Sequence, residues 1–290
     1  MKGKKYGIVS LHKEFPSDEA CLQFIFNARH STDCSCGGLY RMRTGYNKFQ
    51  CSKCRHAISP LAGTIFHKSD TALTTWFHAI LFFSNAKSGI SAKELQRELE
   101  VTYKCAWRML NLIRKALPKD DEPLVGDVEV DTGYLGGKGA AGKNNVNLSH
   151  VMAQKSVVMA AIERKGRAKV EVVPDASAKT VKNFLGRNVS THSNLMTDNA
   201  LTYTHSAAPY KRESVNHSKG ERVRGKVHIN TVETFWSHVK RSIKGTHKAV
   251  SPKHLQTYLD GFVWHRNNCG TDRARFSALL SALLPSGIHA

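Results

Sequence analysis

Four of the seven cysteines form two close pairs, and this clustering constrains the N-terminal part of the chain more than any other feature. The paired residues are Cys34, Cys36, Cys51 and Cys54. Zn²⁺ prefers tetrahedral sulfur ligands, and two such pairs at reverse turns place four thiolates around one ion. The sequence therefore predicts a zinc ribbon over residues 1–66. The Zn²⁺ would be structural, because four protein ligands leave no position for a substrate.

Two alternatives to this ligand set stay open. His30 or His56 could replace one of the cysteines, because the first pair has one intervening residue and the second has the usual two. The four thiols could also be buried and metal-free. Disulfides are not expected, since we predict a bacterial cytoplasmic, nucleoid-associated protein whose thiols stay reduced. No segment approaches the roughly 18 apolar residues of a membrane span.

The charge of the chain indicates a polyanionic partner. Lys and Arg number 43 against 23 Asp and Glu, which gives a formal net charge of +20. An excess of this size is typical of nucleic-acid binding. An acidic membrane surface is the second candidate, although no basic amphipathic anchor stands out. A merely solvated basic surface is the third.

Residues 67–118 carry helical patterns that suggest a DNA-binding segment. Apolar residues recur at helical spacing in the first helix: Leu73, Trp76, Phe77, Ile80 and Leu81. Ser91 precedes Glu94 by three residues, which is a capping-box signature, and Thr102 can cap a basic third helix. Two short helices joined by a tight turn, the second of them basic, suggest a helix-turn-helix.

Residues 124–290 alternate strand and helix patterns after a Pro-bounded acidic linker at 118–123. Strands are predicted near 125–134, 156–162, 169–173 and 194–197. Helices are predicted over 177–187, 231–243 and 254–264. This order favours a layered α/β fold.

Three carboxylates have positions suited to metal-dependent phosphoryl transfer. Asp131 and Asp198 follow strand-like runs, and Glu233 lies on a predicted helix. Acids at strand ends and on a helix can converge on one side of a sheet, where hard oxygen ligands suit Mg²⁺. Spacing alone does not distinguish them from solvated or paired surface acids. Asp127 and Glu129 share strand parity with Asp131 and compete for its role.

Basic and polar residues accompany these acids. Lys240 lies seven residues after Glu233 on the same helical face, where it could grip a phosphate or remain solvated. His217, Ser218 and His228 precede the helix and could approach DNA or serve only as loop residues.

Several segments resemble, in chain order, the motifs of the IS1595-type (ISXO2-like) insertion-sequence transposases. The first two catalytic motifs correspond to residues 128–138 (VEVDTGYLGGK) and 196–198 (MTD). The third block corresponds to residues 215–218 (VNHS), 228–237 (HINTVETFWS), 240–246 (KRSIKGT) and 250–259 (VSPKHLQTYL). Residues 62–66 and 89–110 resemble the family's zinc ribbon and helical segment.

The resemblance implies an RNase H-like fold and DDE chemistry. Asp131, Asp198 and Glu233 become ligands of two Mg²⁺ or Mn²⁺ ions, with Lys240 as an accessory basic residue. Thr132 stands where the family commonly has Glu, and Cys34-Ser35-Cys36 shortens the first zinc pair.

The combined prediction is a DNA transposase that cleaves element ends and joins them to target DNA. Its expected parts are a zinc ribbon (1–66), a helical DNA-binding segment (67–118) and an RNase H-like catalytic domain (124–290). Its expected partners are double-stranded DNA and, on DNA, further copies of the chain. One alternative is a non-catalytic DNA-binding protein with an inactive core. Another is a nuclease that cuts without joining.

Overall fold

The computed structural model describes residues 5–43, 45–136, 155–207, 209–216 and 219–284. The chain forms two compact units. The first contains Met1–Pro118 and Cys269–Ala290, and the second contains Lys119–Asn268. The last helix therefore belongs with the N-terminal unit, whereas the sequence-based boundary of 124–290 had included it in the catalytic domain. None of the described helices is long and apolar enough to cross a membrane.

The first unit combines a small antiparallel sheet with helices. Its strands are β1 (Tyr40–Arg43), β2 (Lys48–Cys51) and β3 (Ala57–Ile58), paired in that order. Its helices are α1 (Ile8–Glu14), α2 (Asp18–Arg29), α3 (Leu73–Asn85), α4 (Ala92–Leu99), α5 (Tyr103–Lys115) and, from the C-terminal end, α10 (Asp272–Ala282). Strands β1 and β2 form an antiparallel hairpin between the two cysteine pairs.

The helices α1 and α2 lie inside the region that sequence reasoning treated as ribbon alone. Helix α2 begins after Ser17, whose hydroxyl accepts a hydrogen bond from the Ala20 N–H at 3.3 Å. Its Phe26 ring stacks on Phe49 of β2, with centroids 3.9 Å apart. This contact buries the apolar face of the helix against the sheet. The zinc-ribbon sheet therefore forms only part of residues 1–66, and helices α1 and α2 form another part.

The helices α4 and α5 lie in the segment where the sequence predicts a helix-turn-helix, and both begin at the predicted caps. Ser91 accepts a hydrogen bond from the N–H of Glu94 at 3.1 Å, and Thr102 accepts one from the N–H of Cys105 at 3.2 Å. These caps satisfy N–H groups that have no partner within the helix. Between α4 and α5 the chain turns at Glu100, which adopts a left-handed conformation with φ 52°.

The second unit is a five-stranded mixed sheet covered by helices. Its strands are β4 (Asp127–Leu135), β5 (Ser156–Glu163), β6 (Ala168–Val173), β7 (Asn194–Asp198) and β8 (Lys211–Val215). The order across the sheet is β6-β5-β4-β7-β8. The pairs β4–β5 and β5–β6 are antiparallel, whereas β4–β7 and β7–β8 are parallel. Strand β4 is therefore central, and β8, to which the sequence analysis assigned no element, forms one edge.

Helices cover both faces of this sheet. They are α6 (Ala178–Asn188), α7 (Leu201–Ser206), α8 (Asn230–Ser242) and α9 (Pro252–Asn267), with a π-helical turn at Ile243–His247 after α8. Residues of α8 and α9 share one apolar core with one side of β4–β6. Residues of α6 and α7 share the other core with the opposite side. The alternation of side chains along β4 thus supplies both cores.

Candidate active site

Strand β4 presents Glu129, Asp131 and Gly133 on one face, because side chains alternate along a strand. Leu135 continues this face and belongs to the core that α8 and α9 complete. Helix α8 packs across β4 and β5 on the same side. The strand therefore carries acidic side chains toward the helix that bears Glu233.

The parallel pairing of β4 and β7 brings Asp131 beside Asp198. The register aligns Asp127 with Asn194 and ends at the pair Glu129 and Met196, so Asp131 and Asp198 each lie two residues beyond the last aligned pair. Neighbouring strands lie about 4.8 Å apart. The Asp198 carboxylate also accepts a hydrogen bond from the N–H of Ala200 at 3.1 Å, which fixes the turn that follows β7.

The charges of Asp198 and Glu233 act on Asp131, although the three acids are not among the described side chains grouped within 4.8 Å of one another. Burial raises the pKa of Asp131, and the negative charges of Asp198 and Glu233 raise it further, to about 6. The backbone N–H of Thr132 acts in the opposite direction by donating to the carboxylate. A carboxyl group held in this way loses its proton more readily when a cation is present.

Trp236 packs against the strand beside Asp131. A Cβ added to Gly133 would lie 3.0 Å from the Trp236 ring, so the glycine permits the close approach of the indole. The indole N–H faces the Asp131 carboxyl group and lowers its pKa. Among the described residues, however, this buried N–H has no hydrogen-bond partner of normal geometry. Trp236 therefore covers the Asp131 carboxyl group. A small shift of the Asp131 side chain would let the indole N–H donate to it.

Arg212 approaches the same site from the edge strand β8, and sequence reasoning missed it. Its Nε donates to Thr197 Oγ1 at 2.8 Å, and its terminal nitrogens donate to Asp198 O at 2.9 Å and Thr204 Oγ1 at 3.3 Å. Burial lowers the pKa of Arg212, while the charge of Asp198 raises it. Its only sequence signal was a basic residue in a short alternating run, which does not identify a site.

Thr132 and Tyr203 form a second contact near the acids. Their hydroxyl oxygens lie 2.8 Å apart. Burial is the main cause that raises the pKa of Tyr203, and the charges of Asp131 and Asp198 add to it. The residue that departs from the family motif thus anchors α7 to the strand that carries Asp131.

The two competitors of Asp131 have other partners. The Asp127 carboxylate accepts a hydrogen bond from the Asn194 side chain at 2.8 Å. Glu129 is completely buried and accepts hydrogen bonds from the first turn of α8, including the N–H of Thr231 at 2.7 Å. Asp131, in contrast, is a buried acid whose pKa is raised further by the charges of Asp198 and Glu233.

Lys240 lies two helical turns beyond Glu233 on α8, and its side chain is exposed. Seven residues of helix correspond to roughly 10 Å along the axis. His228 is described and lies beside Glu129, with Nδ1 3.3 Å from Oε1. His217, Ser218 and Lys138 lie outside the described residues.

The four paired cysteines converge in the first unit. The sulfur atoms of Cys34, Cys36, Cys51 and Cys54 all lie within 4.8 Å of one another. The Cys34–Cys54 distance is 3.7 Å and the Cys36–Cys51 distance is 3.4 Å. A tetrahedral ion with Zn–S bonds of about 2.3 Å spaces its sulfurs about 3.8 Å apart. The shortened first pair therefore still fits a zinc site.

Local backbone geometry explains how the shortened pair converges. Gly37 adopts φ 74° inside a turn closed by its N–H to the carbonyl of Cys34. A Cβ on Gly38 would lie 2.7 Å from Cys51 Sγ, so only glycine fits there. The backbone N–H of Cys36 is the main cause that lowers the pKa of the Cys34 thiol, to about 6.

His56 does not complete the sulfur cluster. Its Nδ1 lies 2.7 Å from the hydroxyl oxygen of Tyr40. Within the described part of the chain, the side chains grouped closely enough to hold a metal are the four cysteines alone, and neither His30 nor His56 is among them.

Comparison with known proteins identifies the family of the second unit. The ISXO2-like transposase domain matches residues 123–267, from the acidic linker to the end of α9. The chain is also 26% identical over 243 residues to an uncharacterized protein in transposable element ISH50 of Halobacterium salinarum, covering 79% of this chain and 80% of that protein. The matched domain spans half of the chain and contains all the acids described above, so the chain belongs to the ISXO2-like transposase family.

Proposed function

We propose that the second unit cleaves the ends of an insertion sequence and joins them to target DNA, with Asp131, Asp198 and Glu233 holding two divalent metal ions. The sheet order, with β4 central and β5–β6 antiparallel to it, supports an RNase H-like fold for this unit. The observation that carries the proposal is the match of residues 123–267, which contain all three acids, to the ISXO2-like transposase domain.

The donor set fits Mg²⁺ or Mn²⁺. All three side chains offer hard carboxylate oxygens, which these ions prefer. Clustering them without a cation is unfavourable, because like charges at close range oppose ionisation. Bound divalent ions would stabilise the charge on the attacking and leaving oxygens of a phosphodiester.

The surrounding side chains would orient the acids and the DNA. Arg212 holds the backbone at Asp198 and so fixes the direction of that carboxylate. Trp236, buried against β4 at Gly133, would exclude water from one side of Asp131. Lys240 is exposed on the helix that carries Glu233, and there it would contact a phosphate of a bound strand. Cleavage and joining are both phosphoryl transfers, so one set of acids serves both without a covalent enzyme intermediate.

The first unit would locate the DNA. We assign a structural Zn²⁺ to the four cysteines, whose role is to hold the sheet β1–β3 in shape. The helices α4 and α5 have the caps and tight turn of a helix-turn-helix. Basic side chains on phosphates supply affinity. Because two element ends are handled together, we expect more than one copy of the chain on DNA.

The test is a combined cleavage and strand-transfer assay on element-end DNA with Mg²⁺ or Mn²⁺. Wild type is compared with Asp198→Ala and Glu233→Gln, and Asp127→Asn is the matched control on the same strand. We expect both site variants to lose roughly a hundred- to a thousandfold in rate, in line with removal of a group that stabilises transition-state charge, and the control to remain active.

Each alternative gives a different result. Undiminished activity in Asp198→Ala or Glu233→Gln would remove the metal-ligand assignment. Nicked products without strand transfer would indicate a nuclease. DNA binding by the wild type without cleavage would indicate a non-catalytic DNA-binding protein. Zinc content is measured separately on the full chain with Cys51→Ser as the comparison, and a zinc-free wild type would refute the ribbon site.

A further inference from the structure

Within the described part of the chain, Glu129 is a buried acid that the proposed reaction does not use and that accepts four hydrogen bonds. Its side chain is fully buried. Oε2 accepts from the N–H groups of Thr231 at 2.7 Å and Val232 at 3.1 Å. Oε1 accepts from Thr231 Oγ1 at 2.9 Å and from Arg164 Nε at 2.9 Å. Both oxygens are thus occupied by donors that come from other elements.

The donors from Thr231 and Val232 belong to the first turn of α8. Helix N-termini leave N–H groups without an intrahelical partner, and they carry a partial positive charge. Ile229, at the N-cap position of α8, provides no side-chain hydrogen bond. Glu129, about a hundred residues earlier in the chain, therefore acts as the cap of this helix from the central strand.

Arg164 and His228 extend the same contact to the loop before the helix. The two terminal nitrogens of Arg164 donate to the carbonyl oxygens of Lys226 at 2.7 Å and His228 at 2.9 Å. The Nδ1 atom of His228 lies 3.3 Å from Glu129 Oε1. The Arg164–Glu129 ion pair thus joins the β5–β6 turn, the central strand and the entry to α8.

The hydrogen bonds of Glu129 connect the strand that carries Asp131 to the helix that carries Glu233. It lies two residues before Asp131 on the same face of β4, and its donors Thr231 and Val232 directly precede Glu233. We propose that Glu129 is a positioning residue that fixes the distance between Asp131 and Glu233 and thereby the affinity of the site for divalent metal. This proposal rests on the proposed function.

Glutamine at this position separates the positioning role from simple packing. Its volume matches that of glutamate, but one oxygen becomes an NH₂ group that can only donate. The amide would face N–H groups of the helix terminus, so at least two of the hydrogen bonds would be lost or inverted. The helix would remain present, because its apolar side still packs in the core shared with β4 and β5.

Glu163 provides a matched control on the neighbouring strand. It is also a poorly exposed carboxylate, 13% accessible at the side chain. It accepts from the N–H of Val125 at 2.9 Å, from the N–H of Arg167 at 2.9 Å and from the Arg167 guanidinium at 3.3 Å. These partners lie at the base of β4 and in the β5–β6 turn. Glu163→Gln therefore perturbs a comparable network away from α8.

The experiment measures Mn²⁺ binding to the full-length protein by electron paramagnetic resonance, together with the Mg²⁺ concentration that gives half-maximal DNA cleavage. Glu129→Gln should weaken Mn²⁺ binding and raise the Mg²⁺ requirement by about 10–100-fold, the usual effect of removing a residue that orients metal ligands. Glu163→Gln should stay within about twofold of wild type in both measurements, whatever its melting temperature.

A second variant keeps the test decisive if Glu129→Gln does not fold. Thr231→Val removes only the hydroxyl bond to Glu129 Oε1, and a roughly threefold to tenfold rise in the Mg²⁺ requirement is expected. Wild-type metal binding by every folded variant of this pair would overturn the positioning role. If Glu233→Gln also bound Mn²⁺ like wild type, the metal-ligand assignment itself would fail, which separates the two proposals.

Discussion

Asp131→Asn should stabilise the metal-free protein at pH 7 while it abolishes DNA cleavage. The ionised Asp131 carboxylate is opposed by its burial and by the charges of Asp198 and Glu233. Asparagine keeps the shape of the side chain and removes the charge. A residue retained at a cost to stability is expected where function requires clustered like charges.

The magnitude follows from the pKa. The Asp131 pKa is raised from 3.8 to about 6, and at 1.36 kcal/mol per pKa unit this corresponds to about 3 kcal/mol at neutral pH. The new amide loses some hydrogen bonds of the carboxylate, so we expect a gain of about 1–3 kcal/mol. A domain of this size then melts roughly 2–10 °C higher.

The raised pKa of Asp131 also determines how its contribution to stability changes with pH. A folded-state pKa above the unfolded value means that the protonated form is favoured by folding. The contribution of Asp131 to stability is therefore fully present below about pH 4 and is lost as the pH rises through about 6. The difference in melting temperature between wild type and Asp131→Asn should accordingly be largest at pH 7 and close on acidification.

The assay is thermal unfolding in EDTA from pH 4 to 7.5, followed by the same series with Mn²⁺. Added Mn²⁺ should stabilise wild type and leave Asp131→Asn almost unchanged, because a ligand stabilises only the state that binds it. Asp127→Asn is the control, since its carboxylate is paired with Asn194, and it should not gain stability. An Asp131→Asn variant that melts below wild type in EDTA at pH 7 would refute the charge-repulsion argument.

Three further substitutions test other parts of the structure. Gly38→Ala should release zinc, measured by a colorimetric chelator, because the new Cβ would lie 2.7 Å from Cys51 Sγ. Gly133→Ala should lower the free energy of unfolding in urea by about 1–3 kcal/mol, since the methyl group meets the Trp236 ring at 3.0 Å. Arg212→Lys should slow cleavage at saturating Mg²⁺ by about 10–100-fold, because an ammonium cannot reproduce the three contacts of the guanidinium.

Matched variants separate these effects from general destabilisation. Gly7→Ala and Gly186→Ala each add a methyl group where no atom lies within 4 Å. Gly7→Ala should leave zinc content unchanged, and Gly186→Ala on α6 should stabilise by up to about 1 kcal/mol. For Arg212, unaltered cleavage by a correctly folded lysine variant would show that its contacts to Thr197 and Asp198 do not orient the site.

The sequence by itself determined most of the local structure of this chain. Ser91 and Thr102 predicted the starts of α4 and α5. Each hydroxyl caps an N–H only three residues later, so the signal is local in the sequence. The periodicity of residues 73–81 likewise predicted α3. The spacing within the two cysteine pairs predicted that the four sulfur atoms converge, because each pair spans only a short turn.

Longer-range features could not be read in this way. The helices α1 and α2 were missed because the nearby cysteines dominated the interpretation of residues 1–66. Strand β8 was missed because its alternation is short and mostly polar, and its pairing partner β7 supplies the stability that its own sequence lacks. The last helix packs against α3 of the first unit, and the hydrogen bond from Arg275 to Ser84 between them joins positions 191 residues apart.

The candidate acids show the same division. Sequence pattern placed Asp127, Glu129 and Asp131 on one face of a strand, and the resemblance to transposase motifs favoured Asp131. Only the tertiary structure gave each acid a distinct environment, because hydrogen-bond partners and neighbouring charges come from β7 and α8, far away in sequence. Asp127 accepts a hydrogen bond from Asn194, Glu129 accepts hydrogen bonds from the first turn of α8, and Asp131 lies near the like charges of Asp198 and Glu233.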